Sequence, residues 1–97
     1  MAVRYKREYS LIIGEMVDAI KHLDRYYEFL GMDHGDWNGL DTGEQSECLK
    51  TMSHDIIYGL GGEPVIQVGQ GTVHYEPGQA QIRVFDGEKC VHVIRLS

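Results

Sequence analysis

The last third of this chain leaves few folds open to it. From Val65 onward β-branched and aromatic residues alternate with polar ones, and the alternation is cut by Gly69-Gln70-Gly71, Pro77-Gly78 and Asp86-Gly87. A period of two marks a strand with one buried face, and turn residues at such short intervals mark hairpins. Four strands are expected, at about 64–69, 71–76, 80–86 and 89–96.

Register can be read from the turns, because a slip of one residue sends every side chain to the wrong face. A turn at Gln70-Gly71 pairs Val68 with Val73 and Ile66 with Tyr75. A Gly87-Glu88 turn, glycine leading as type II′ requires, sets Asp86 opposite Lys89, Val84 opposite Val91 and Ile82 opposite Val93. The Pro77-Gly78 loop fits two residues or four, and both lengths keep Val73 and Tyr75 on the face of Ile82 and Val84. One apolar face results, formed by Ile66, Val68, Val73, Tyr75, Ala80, Ile82, Val84, Val91 and Val93. Phe85, Ile94 and Leu96 fall on the other side by parity. They make either an apolar edge suited to a homo-oligomer pairing through the C-terminal strand, or the mark of a bulge near Ile94 that returns it to the core.

The upstream pattern is helical. Tyr9, Ile12, Ile13, Met16, Ile20, Leu23, Tyr27 and Leu30 recur at spacings of three and four, so a first helix is expected over about 6–30, ended by Gly31 in a left-handed conformation. Residues 31–43 hold four glycines without periodicity and read as a loop. Asp41 with Glu44, and Thr42 with Gln45, each match a capping box, so a second helix is expected over about 44–60. It buries Leu49, Met52 and Ile56, with Cys48 and Ile57, and stops at Gly59-Leu60-Gly61-Gly62. A helical stripe and a one-faced sheet bury each other most economically as an α+β, two-layer sandwich: an N-terminal helical hairpin on a four-stranded antiparallel meander, one domain over residues 1–97.

Charge narrows the partners. Lys and Arg number 9 against 15 Asp and Glu, a net −6, and all of the excess lies in residues 31–63, where seven acids face only Lys50. Phosphate attraction is missing, so nucleic acid is not expected as a partner. Leu11 to Ile20 is interrupted by Gly14, Glu15 and Asp18, which excludes a membrane span or signal segment there. Cys48 and Cys90 show no metal or disulfide spacing and are expected to be free thiols in a cytoplasmic protein.

These observations favour a small non-enzymatic interaction protein, regulatory or inhibitory, that docks on a basic protein partner through Asp33, Asp36, Trp37, Asp41, Glu44 and Glu47. Trp37 serves there as an aromatic anchor, or else as a lid over the helix ends. Residues 33–44 fail as a calcium loop because Gly35 and Trp37 stand where oxygen ligands are needed. The alternative is a small-ligand or metal-binding domain, with or without enzymatic activity. It would use His74, Arg83 and His92 on the outer sheet face, or His22 and His54 at matching heights on the two helices. No cysteine sits in a basic setting and no serine in a nucleophile elbow, and no cofactor is called for.

Overall fold

The computed structural model describes residues 3–97. Its elements are α1 (Tyr9–Ile20), α2 (His34–Asn38), α3 (Thr42–Leu60), β1 (Val65–Val68), β2 (Gly71–Glu76), β3 (Gln81–Asp86) and β4 (Lys89–Arg95), with 3-10 turns at Tyr26–Leu30 and Pro77–Gln79. The strands form one antiparallel sheet in the order β1-β2-β3-β4, so helices followed by a four-strand meander make this an α+β fold. Its core joins Ile12, Met16 and Ile20 of α1, Met52, Ile56 and Leu60 of α3, and Val68, Val73, Ile82 and Val84 of the sheet. α1 packs on α3 and β4, and α3 on β1.

The first helix is shorter than its apolar stripe implies. α1 ends at Ile20, the chain turns through Arg25 at φ 57°, and residues 26–30 continue as a 3-10 turn closed by Gly31 at φ 75°. The break is where the β1–β2 hairpin arrives: Gln70 N–H donates to the Asp24 carbonyl at 2.9 Å. A Cβ on Gly69 would stand 2.5 Å from the Arg25 carbonyl oxygen. The hairpin tip therefore occupies the path of a straight helix. The sequence spacing survives the break because a three-residue repeat also returns side chains to one side, which keeps Leu23 buried and Tyr27 and Leu30 against the core.

The connection to α3 also holds more structure than a loop. Asp33 accepts from the Asp36 N–H at 2.8 Å while the Asp36 carboxylate accepts from the Asp33 N–H at 3.3 Å, a reciprocal cap on α2. Asp41 and Glu44 cap α3 in the same way at 2.8 and 3.0 Å, as the sequence indicates. The overlapping Thr42–Gln45 pair is not used; Gln45 instead donates to the Trp37 carbonyl at 2.9 Å. α3 stops at Leu60, as expected, but Gly61 keeps a right-handed φ of −66° and the last N–H groups close tight turns onto Tyr58 and Gly59.

In the sheet, the first hairpin turns on Gly69-Gln70, which pairs Val68 with Gly71 and Ile66 with Val73. This register lies two residues from the expected one. A shift of two leaves the faces unchanged, and Ile66, Val68, Val73 and Tyr75 remain together on the core side. The Pro77 loop takes its four-residue form, with Ala80 left-handed at φ 50° between the strands. The last hairpin turns as expected at Gly87-Glu88, pairing Asp86 with Lys89 and Phe85 with Cys90. A bulge then shifts the register, so that Val84 pairs with His92 and Ile82 with Ile94.

The bulge reverses the burial of the last residues. Ile94 is 0% exposed and Leu96 is equally buried, whereas Val93, assigned above to the core face, is 42% exposed. Val91 is half-buried at the edge of the core. Ile94 and Leu96 thus belong to the core, whereas Phe85 stays half-buried on the outer face against His74 and Arg83. The end of that strand is bridged to the N-terminal segment, with Lys6 N–H on the Leu96 carbonyl at 2.6 Å and the Arg7 guanidinium on the Arg95 carbonyl at 2.9 Å.

Candidate functional site

The six residues expected to meet a partner do not share one environment. Trp37 is 5% exposed, stacked on Tyr27 with ring centroids 6.3 Å apart and edge-on to Tyr26 at 5.4 Å, so it is a lid on the core and not a surface anchor. Asp33, Asp36, Asp41 and Glu44 are exposed, yet each is held in a capping box. Their charges sit where helix N-termini favour anions. Glu47 is free of any cap and has only a surface ion pair with Lys50 at 3.8 Å, a contact of little energetic weight at such exposure.

α3 extends this acidic surface along its outer side. Leu49, Met52, Ile56 and Leu60 turn one side of the helix into the core. Glu44, Glu47, Thr51, Asp55 and Tyr58, spaced by three and four residues, therefore line the side facing away from it. Tyr58 is 88% exposed, the most exposed large apolar side chain among the described residues. The composition of the stripe alone does not single it out. Its signal was its place off the 49–52–56 stripe, half a turn from the buried side.

Between this stripe and the outer side of α1 runs a groove of about 690 Å³, lined from α1 by Tyr9, Ser10, Leu11, Ile13, Gly14, Glu15, Val17 and Asp18 and from α3 by Ser46, Lys50 and His54. Leu11 in this lining is 54% exposed. One end is closed by the Tyr9 hydroxyl, 2.8 Å from His54 Nδ1. Partial burial, reinforced by the neighbouring Tyr5, raises the Tyr9 pKa above that of a free tyrosine. Arg7 pairs with Glu15 at the α1 margin, and its hydrogen bond to that carboxylate raises the guanidinium pKa.

The histidine alternatives separate. His54 meets Tyr9 at the start of α1, whereas His22 lies beyond its end and bonds through Nδ1 to the Asp18 carbonyl at 2.8 Å. The expectation of matching heights presumed a longer first helix. Among the described residues, no three His, Cys, Asp or Glu side chains converge as a metal site.

The outer sheet face is likewise redistributed. His74 pairs with Arg83 on the outer face as expected of neighbours there, but the bulge pairs His92 with the core residue Val84 and sets Val93 opposite Arg83, so His92 does not share their face. Arg83 Nε lies 2.9 Å from Glu76 Oε2, though without hydrogen-bond alignment, and its guanidinium covers the Phe85 ring at 5.0 Å. Gln81 donates to the other Glu76 oxygen at 2.7 Å, and His74 contacts Thr72 Oγ1 at 3.0 Å and the Phe85 edge. These polar groups serve one another, and Arg83 already carries its counter-ion.

No protein-family model, curated protein or solved structure matches the chain. Cys48 and Cys90 are both free thiols, the first half-buried on α3 and the second exposed on β4. No helix among the described residues is long and apolar enough to cross a membrane.

Proposed function

We propose that the chain is a non-enzymatic protein-interaction module, regulatory or inhibitory in use, whose α3 outer face docks on a basic protein partner. The observation that carries this reading is the exposed series Glu44, Glu47, Asp55 and Tyr58 on one side of one capped helix. Acids arranged this way attract a cationic surface over distance and raise the rate of encounter. An exposed tyrosine beside them supplies the apolar anchor that charge lacks. A helix already ordered in the free protein avoids the entropic cost of folding on binding. Two free thiols agree with a cytoplasmic setting.

The capping acids are poor targets for a test, because their removal also weakens helix starts. Glu47, Asp55 and Tyr58 hold no cap. Affinity capture from the native host, with the intact chain and with a variant carrying Glu47→Gln, Asp55→Asn and Tyr58→Ala, should recover a basic protein with the first and lose it with the second. Recovery of the same protein in equal amount by both chains would refute the proposal.

A further inference from the structure

The groove beside α3 offers what the acidic stripe does not, an apolar floor with an opening for another backbone. Gly14 stands in the middle of α1, where glycine is disfavoured relative to alanine. No atom lies within 4 Å of where its Cβ would be, so internal packing does not require it. Its effect is to leave a notch between Leu11 and Val17, with Ser10 and Asp18 one turn to either side.

We propose that this groove receives a basic amphipathic helix of the partner protein, with its apolar side on Leu11, Gly14 and Val17 and its cations toward Asp18 and the acids of α3. The inference rests on the reading of a basic partner and adds where and in what form that partner binds. Charge selects the occupant. Among the described residues, Lys50 is the one lysine or arginine in the lining and keeps only an exposed 3.8 Å contact to Glu47, while Arg7 is held by Glu15. Asp18 has no ion-pair partner among the described residues, and Glu44, Glu47 and Asp55 continue the negative field along the adjacent helix. A second copy of a chain of net charge −6 would bring the wrong sign. The lining from Tyr9 to Asp18 covers about three helical turns, a length of ~14 Å that suits a helix of similar extent.

Two synthetic amphipathic peptides of about 14 residues serve as probes, both with leucines at spacings of three and four, one with lysine and one with glutamate at the remaining positions. Titrated into the intact chain under nuclear magnetic resonance, the lysine peptide should shift the amides of Leu11–Asp18 and of Ser46, Lys50 and His54, and the glutamate peptide should not. Gly14→Leu, which fills the notch, should weaken the lysine peptide by about tenfold or more, and Leu11→Ala supplies the same test should that variant fail to fold. Shifts confined to Glu44, Glu47, Asp55 and Tyr58, unaffected by either substitution, would overturn the groove while leaving acidic docking intact. Equal binding of both peptides, or of neither, would overturn the proposed occupant. So would groove shifts that arise from concentrating the chain without peptide.

Discussion

Replacing Ile94 and Val93 by alanine, one at a time, tests the bulge in β4, because the two candidate registers assign these neighbours opposite roles. Ile94 is 0% exposed, pairs with Ile82 and belongs to the core shared by helices and sheet. Ile94→Ala removes three buried carbon atoms and leaves a cavity that the flanking strand cannot fill, so a loss of about 3 kcal/mol is expected, within the usual ~2–5 kcal/mol for such a truncation. In a domain this small each kcal/mol moves the melting temperature by about 4–8 °C, which places the shift at roughly 12 °C or more. Val93 is 42% exposed on the other side of the strand, and Val93→Ala should cost less than about 1 kcal/mol. Urea denaturation followed by circular dichroism measures both, with an unchanged slope showing that the denatured state is not what changed. Equal losses, or a larger loss at Val93, would refute the shifted register.

Three further outcomes follow from local geometry. Gly14→Ala should stabilise the chain by about 0.5–1 kcal/mol in the same denaturation assay, since the added methyl meets open space and the helix interior favours alanine. Gly69→Ala should do the opposite and cost at least about 2 kcal/mol, because φ is 57° and the new Cβ presses on the Asp24 and Arg25 carbonyls. Tyr9, whose folded pKa is raised, contributes stability that is fully present below the unfolded value of about 10 and is lost as pH rises through the folded one. Ultraviolet titration should therefore show a late-ionising tyrosine component that Tyr9→Phe removes.

Much of the fold is legible because hairpins carry their own geometry. Gly87-Glu88 gives the last turn and its Asp86–Lys89 pair correctly, while the bulge displaces the expected Val84–Val91 and Ile82–Val93 pairs, and a two-residue displacement at Gly69-Gln70 costs nothing in facing. The bulge was harder to place because Val91 and Val93 share one parity while Ile94 and Leu96 alternate on another, and only packing decides between them. That conflict is itself the mark of an inserted residue. The break after Ile20 left no trace in the apolar spacing, since three-residue turns and α-turns both serve a stripe. The cap on α2, Asp33 with Asp36, was missed because the box more often ends in Glu or Gln and the surrounding glycines read as a loop. Within the candidate site the acids were legible from composition. Burial of Trp37 and exposure of Tyr58 depend on which side of each helix the core occupies.

Docking of the acidic α3 face on a basic partner, as proposed, is tested by the association rate with the captured partner as ionic strength rises. Screening shortens the reach of exposed charges to about 10 Å at 0.1 M salt. The rate should fall steeply with salt for the intact chain and much less steeply after Glu47→Gln and Asp55→Asn, with dissociation changed less than association. An association rate indifferent to salt, or a salt dependence that the two amide substitutions leave untouched, would contradict it.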